Sequence, residues 1–175
     1  MDKHIPVLLK EVLEGLNPQP GQKFIDCTLG GGGYTLALAS AVGPKGLVLA
    51  TDLDQEAIDN IELLKTTRNL KQITAVQSNF KMIKEVVDEY YPDTFFDGIV
   101  MDLGLSSAQL ADLGRGFCFR NNSNLNMAFD ASDKKNKTEN IINHYREKEL
   151  TELIRNYGEE KYAGRIARAI ITRRQ

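Results

Sequence analysis

The sequence FIDCTLGGGGYT at residues 24–35 combines a short apolar run, an acid and four consecutive glycines. An apolar run with the composition of a helix, LALA, follows at residues 36–39. A strand, a glycine loop and a helix in this order open a nucleotide-binding α/β unit. Glycines let the backbone turn sharply and let a ligand approach closely, and the helix N-terminus adds unpaired N–H groups. We therefore predict a ligand-binding loop at residues 30–33.

A second apolar run, at residues 47–51, ends in an acid, Asp52. This acid lies about 20 residues past the glycines, where a carboxylate can hold ribose hydroxyls. The third glycine of the dinucleotide fingerprint is replaced by Thr35, so the loop does not require a pyrophosphate. The pattern favours a ligand with adenosine but no phosphate, of which S-adenosylmethionine is the common one. The alternative is a glycine-rich turn that binds nothing.

Strand-like runs alternate with helical patterns along the first part of the chain, which predicts an α/β fold with a parallel sheet. We expect four strands in the order 3-2-1-4, at residues 24–27, 47–51, 73–77 and 98–103. A helix is predicted over residues 6–16, and Asp54 is predicted to cap another. In such sheets ligands bind at the carboxyl ends of the strands. Four predicted strand ends carry polar or aromatic side chains there: Asp26, Asp52, Asn79 with Phe80, and Asp102.

Composition narrows the class of protein. The chain has 175 residues, 42% hydrophobic and 26% charged, as is ordinary for a soluble globular protein. It has no apolar run of membrane-spanning length and no signal-peptide pattern, so we expect a cytoplasmic protein without membrane contact. Cys27 and Cys118 lack metal-type spacing, which predicts reduced thiols and no metal site. A net charge of −2 means that nucleic-acid contact would need a local patch.

The pattern changes after residue 103. Residues 104–136 are rich in Gly, Ser, Asn and Asp and predict a long functional loop, whereas the pattern from Thr138 onward is helical. We place a cofactor domain at residues 1–112 and a loop with a helical segment at residues 113–175. The last residues contain five cations without an acid: Lys161, Arg165, Arg168, Arg173 and Arg174. They indicate either a nucleic-acid-binding face or a solvated helix end.

Five motifs occur in one order along the chain: HIPVLL at 4–9, DCTLGGGG at 26–33, DLGLSSAQL at 102–110, RGFCFR at 115–120, and YGEEKYA at 157–163 with RIARAI at 165–170. With these motifs the chain resembles the MraW/RsmH family of S-adenosylmethionine-dependent 16S rRNA methyltransferases, which methylate the N4 amine of a cytidine. The resemblance implies a Rossmann-like class I methyltransferase core with a partial sheet. It also implies a C-terminal helical segment similar to the family's inserted domain.

The resemblance and the glycine loop together give a set of site residues. The predicted cofactor-binding residues are Gly30, Gly32, Gly33, Tyr34, Asp52, Phe80, Asp102 and Gln109. Phe80 can pack on an adenine ring, although core packing is an equal alternative. For methyl transfer, the N4 amine of the cytidine must be held in line with the methyl group of the cofactor and must lose a proton. Asp102, Ser106 and Ser107 are the predicted catalytic residues.

The implied partner is small-subunit rRNA or the small ribosomal subunit. The alternatives are a truncated or degenerate cofactor-binding relative with little activity alone, and a small-molecule methyltransferase. Tyr34 stands where the family usually has His, Ala108 replaces a Pro, and LNMAFD at 125–130 lacks an acid and an arginine of the family motif. Family chains are longer, and this chain ends inside the part that resembles their insertion. We therefore expect cofactor binding without efficient methyl transfer by this chain alone, with a homodimer as one way to cover an open sheet edge.

Overall fold

The computed structural model describes residues 6, 8–105, 110, 116–117, 125, 127 and 138–174. The chain divides into two compact units, Met1–Ala108 and Gln109–Gln175, which are called the first and the second unit below. No helix of the described residues is long and apolar enough to cross a membrane.

The first unit is built on a four-stranded sheet in which every neighbouring pair is parallel. Its strands are β1 (Lys23–Asp26), β2 (Leu47–Asp52), β3 (Ile73–Gln77) and β4 (Gly98–Val100). Their order is β3-β2-β1-β4, which confirms the predicted order. The same order begins the doubly wound dinucleotide-binding sheets, in which the ligand lies where the strand order reverses. Here the reversal lies between β1 and β4.

Helices connect the strands and cover the sheet. They are α1 (Leu9–Leu16), α2 (Gly33–Val42), α3 (Gln55–Arg68), a 3-10 turn at Phe80–Met82, and α4 (Ile83–Tyr90). Because side chains alternate across a strand, neighbours on β1 enter different clusters. Phe24 packs with Leu38 and Val48, whereas Ile25 packs with Leu49 and Val86.

Two elements are shorter than the sequence predicts. The helix predicted from residue 6 begins at Leu9, because Leu8 has a left-handed backbone with φ of 60°. The strand predicted over 98–103 ends at Val100. The last strand-like bond in this direction runs from the Cys27 N–H to the Val100 carbonyl, and the Asp102 N–H then donates to the Thr28 hydroxyl instead of a carbonyl. The chain therefore leaves the sheet two residues before the acid.

The second unit contains α5 (Thr138–His144), α6 (Glu147–Gly158) and α7 (Ala163–Arg173). Glu159, with φ of 49°, ends α6, close to the break predicted at Gly158. The buried residues of its described part are Leu150, Ala163 and Ala167. The long loop predicted at 104–136 lies mostly outside the described residues.

Candidate cofactor site

The glycine loop adopts a backbone that other residues rarely adopt. Gly30 and Gly32 have φ of 47° and 79°, in the left-handed region. A Cβ atom on Gly33 would lie 2.2 Å from Cγ of Pro6, so a side chain there would collide with the residues before α1. Gly32 is the residue before α2, and its N–H donates to the Leu29 carbonyl at 2.7 Å. The loop therefore turns tightly into the N-terminus of α2.

Asp52 joins this loop to the end of β2. Its Oδ2 accepts the Gly30 N–H at 2.8 Å, and its Oδ1 accepts the Asp54 N–H at 2.9 Å. A carboxylate has about four acceptor positions, so each oxygen can accept another donor. The structure thus brings together two of the residues that the sequence predicts for cofactor binding. Asp54 itself accepts the Glu56 N–H at 3.1 Å and caps α3, as predicted.

Asp26 has a different environment from Asp52. It is fully buried, and its carboxylate accepts the Thr35 hydroxyl at 2.6 Å and the Thr28 N–H at 3.0 Å. Burial raises the pKa of Asp26, and the two hydrogen bonds oppose that rise. Asp26 therefore fastens both ends of the glycine loop to β1. Thr28 and Thr35 were missed by the sequence reasoning; a threonine on each side of the glycines was the available signal.

Asp102 follows β4 and is exposed, and its backbone is anchored by the Thr28 hydroxyl at 2.8 Å. Tyr34 lies in the first turn of α2 with only 6% of its surface exposed. Burial raises the pKa of Tyr34, and the negative charges of Asp102, Asp26 and Glu11 raise it further. The Tyr34 hydroxyl therefore stays protonated near neutral pH, and it lies within the electrostatic reach of Asp102.

Phe80 is not a core residue. It is 41% exposed, whereas the aromatic residue Phe24 is 1% exposed. It starts the 3-10 turn after β3, and the Asn79 side chain accepts the Lys81 N–H at 3.0 Å to fix that turn. An aromatic ring is therefore available to a ligand at a third strand end. Ser106, Ser107 and Gln109 lie outside the described residues.

The described residues include neither an ionised cysteine thiol nor a group of metal ligands. Burial, followed by the charge of Asp26, raises the pKa of the Cys27 thiol to about 11. Cys27 is a free, buried thiol and stays protonated. Within the described ranges no three His, Cys, Asp or Glu residues are grouped to hold a metal ion. Cys118 lies outside the described residues.

Relatives of this chain are methyltransferases by name. A ribosomal RNA small subunit methyltransferase H from Heliobacterium mobile is 38% identical over 171 residues, covering 98% of this chain and 54% of the relative. One from Paenibacillus sp. (strain JDR-2) is 36% identical over 180 residues, covering 100% of this chain and 56% of the relative. The chain thus spans about half the length of the curated relatives it matches.

Likeness to solved structures is partial. A SAM-dependent methyltransferase from Aquifex aeolicus superposes on 41% of this chain and 38% of its own, with 27% identity and a TM-score of 0.37. That overlap is too small to carry an argument about function. The comparison with protein families covers the whole chain: the model of the MraW methylase family matches residues 1–175. The chain belongs to the MraW methylase family, as its motifs predict.

Proposed function

We propose that this chain binds S-adenosylmethionine and supplies the cofactor-binding part of an enzyme that methylates the N4 amine of a cytidine in 16S rRNA. One observation carries the proposal: the 2.8 Å hydrogen bond between the Gly30 N–H and Asp52 Oδ2. Through this bond, the glycine loop before α2 and a carboxylate that can accept hydrogen bonds from ribose hydroxyls lie at the same end of the parallel sheet. Because the chain spans about half of its relatives, the activity, substrate and partner are all part of the proposal.

The residues present fit this cofactor. Asp52 keeps lone pairs for two ribose hydroxyls, and the exposed ring of Phe80 can pack on adenine. The backbone of the glycine loop takes the methionine part, with contacts at Gly30, Gly32 and Gly33. Tyr34, Asp102 and Gln109 complete the proposed contacts.

The bound cofactor would supply an electrophilic methyl group. The chain must handle the acceptor, because the amine of cytosine is a weak nucleophile whose lone pair is delocalised into the ring. It must hold this amine in place and accept the proton that the amine loses. The exposed carboxylate of Asp102, whose backbone is anchored to Thr28, is the proposed acceptor. Ser106 and Ser107 are further candidates to orient the amine, and the base must be presented outside an RNA stack.

A small-molecule methyltransferase is the competing function. The charge of the second half favours RNA, because residues 109–175 contain 13 lysines and arginines against nine aspartates and glutamates. The small ribosomal subunit as partner and the cytoplasm as compartment belong to the same proposal, because both follow from the RNA substrate. The homodimer stays a prediction. So does low activity of this chain alone, and Asn126 and Ala128, on which that prediction partly depends, lie outside the described residues.

Isothermal titration of S-adenosylmethionine into the wild-type chain and into Asp52→Ala tests the cofactor site. Loss of a charged hydrogen bond predicts weaker binding by about 1.5–3 kcal/mol, or roughly 10- to 150-fold. Asp59→Ala is the matched control, because it removes an acid from the exposed side of α3. Circular dichroism must accompany the titration, since Asp52 also holds the N–H groups of Gly30 and Asp54.

Equal affinity of the Asp52→Ala and wild-type chains would contradict the assignment of the ribose site. Tight binding of NAD in place of S-adenosylmethionine would indicate an oxidoreductase. The activity itself is measured with labelled S-adenosylmethionine, protein-free 16S rRNA and small subunits that lack the mark. Turnover comparable to that of a longer family member would show the expectation of low activity to be wrong.

A further inference from the structure

Two tyrosines with exposed rings flank the connection between α6 and α7, and two cations lie against one of them. Tyr157, in the last turn of α6, is 88% exposed, and Tyr162, directly before α7, is 52% exposed. The Lys161 Nζ lies 5.0 Å from the centroid of the Tyr162 ring, and the Arg165 Cζ lies 5.6 Å from it. We call these four residues the tyrosine turn. Large exposed rings flanked by charge are typical of interaction surfaces.

Arg168 and Arg174, two other cations of the predicted basic face, have partners of a different kind. The Arg168 Nε lies 3.2 Å from Oε1 of Glu147, so its charge is paired across the two helices. Arg174 donates to the carbonyls of Ile142 and Tyr145, at 3.0 and 2.6 Å, and so holds the end of α5. Two of the five cations in the predicted basic face therefore have structural partners. Lys161 and Arg165 contact an exposed aromatic ring instead.

The same connection also contains two acids, Glu159 and Glu160, which balance the charges of Lys161 and Arg165. The Glu160 Oε1 accepts the Tyr162 N–H at 2.6 Å, so this carboxylate is committed to the start of α7. Glu159 adopts the left-handed conformation that ends α6. The rest of α7 contains no acid, and residues 109–175 as a whole are basic. The excess positive charge that complements a polyanion therefore comes from α7 and the rest of residues 109–175, next to the tyrosine turn in sequence.

We infer that the tyrosine turn binds single-stranded RNA, with an unstacked base packed on a tyrosine ring and phosphates contacted by Lys161 and Arg165. Base stacking on aromatic side chains next to cations is the general chemistry of single-strand recognition. Cation–π contacts hold the Tyr162 ring and leave part of it exposed. The inference rests on the proposed function for RNA as substrate, but not on where the cofactor binds.

Fluorescence anisotropy with a labelled, unstructured RNA of about 12 nucleotides measures this binding to the 175-residue chain. Tyr162→Ala is expected to weaken binding at least about fivefold, the lower end of the effect of losing one stacked base. Tyr162→Phe keeps the ring and should retain most of the affinity. Tyr90→Ala is the matched control, because Tyr90 is a 46% exposed tyrosine on α4 of the first unit. Circular dichroism confirms that each variant keeps its helices.

A pair of charge variants on one helix tests the phosphate contacts. Arg165→Gln and Arg168→Gln each remove one positive charge from α7, but among the residues that the structure describes only Arg168 is paired with an acid. We expect Arg165→Gln to make the dependence of log K on log salt shallower by about 0.7, as for one lost phosphate contact on a single strand. Arg168→Gln should change this slope less. Equal slopes for the two variants would contradict the role of Arg165.

The inference and the proposed function fail in different ways. Absence of RNA binding by the wild-type chain at low salt, or wild-type affinity in Tyr162→Ala, would overturn the inference. Lost binding to small subunits with unchanged binding to free RNA would also overturn it and indicate a protein contact. S-adenosylmethionine titrated into Tyr162→Ala should bind as it does to the wild type. If the wild-type chain binds no cofactor while the RNA results hold, the proposed function fails and the RNA surface stands.

Discussion

The two units of this chain differ in charge. Residues 1–108 contain nine lysines and arginines against 15 aspartates and glutamates, whereas residues 109–175 contain 13 against nine. The net charges are therefore −6 and +4, which together give the −2 of the whole chain. The small net charge of the whole chain is therefore the sum of an acidic first unit and a basic second unit. A polyanion would be attracted to residues 109–175 and repelled by residues 1–108.

The two units also differ in the buried side chains that the structure describes. The first has two clusters of buried apolar side chains on the two faces of its sheet. In the described part of the second, one large side chain, Leu150, is fully buried, and the other buried residues are alanines. Hydrogen bonds at helix ends, such as those of Arg174 and Glu149, are further contacts in that part.

The largest expected effect is in the sheet core. Phe24→Ala should lower the free energy of unfolding by about 3–5 kcal/mol, because it leaves a cavity at a side chain that is 1% exposed. Urea unfolding followed by circular dichroism measures the change. Phe95→Ala is the matched control, since Phe95 is 91% exposed and should change stability by less than about 0.5 kcal/mol. Similar losses in both variants would contradict the described core.

The next effect concerns the buried acid. Thr35→Val removes the hydroxyl that donates to Asp26 at 2.6 Å and should cost about 1.5–3 kcal/mol near neutral pH. Because burial raises the pKa of Asp26 above 3.8, ionising it disfavours the folded state. The stability that Asp26 contributes is present below pH 3.8 and is lost as the pH rises through its folded pKa.

Thr35→Val should raise the pKa of Asp26 further, so the variant should lose more stability at neutral pH than in acid. Urea unfolding at several pH values measures this difference. Thr66→Val is the control, because its hydroxyl bonds a carbonyl on the exposed face of α3. The same loss at every pH would show that Asp26 does not titrate as described.

A threonine-to-valine substitution at Thr51 should change the free energy of unfolding in the opposite direction. The Thr51 hydroxyl is buried and has no hydrogen-bond partner among the described residues. Replacing it by the similarly shaped apolar side chain in Thr51→Val should stabilise the chain by about 1 kcal/mol, since a buried, unpaired hydroxyl is unfavourable. Thermal unfolding measures the gain. A loss of stability would indicate that this hydroxyl has a partner.

The smallest effect is in the second unit and has the opposite pH dependence to that of Asp26. Hydrogen bonds from the Arg146 side chain and backbone N–H lower the pKa of Glu149 to about 2. The stability from this cap is present above pH 4.5 and is lost as the pH falls toward 2. Helicity near pH 2 should therefore fall less in Glu149→Gln than in the wild type, whereas Glu152→Gln should behave as the wild type. Circular dichroism at 222 nm gives the comparison.

Sequence patterns were sufficient for the frame of the first unit. Apolar runs of strand length alternating with helical periods predicted the elements, because both signals are local in sequence. The crossover rules for βαβ units, with the acids at the strand ends, then predicted the sheet order. The glycine loop and Asp52 could be predicted as one site from local sequence. A left-handed turn favours glycine, and an acid directly after an apolar run marks the end of a strand. The sequence allows Phe80 to contact a ligand or to pack in the core. Its exposure in the structure excludes core packing, and the contact with a ligand stays a prediction.

What the sequence determined by itself is the order of the strands, the glycine loop and the family. The tertiary structure alone decided which polar side chains are free for a ligand and which are already bonded. Thr28 and Asp102 are 74 residues apart, yet the Asp102 N–H donates to the Thr28 hydroxyl just past the end of β4. Arg168 and Glu147 are 21 residues apart, yet their bond removes one cation from the predicted basic face. Local patterns do not contain such pairings, because each depends on where distant segments meet in the folded chain.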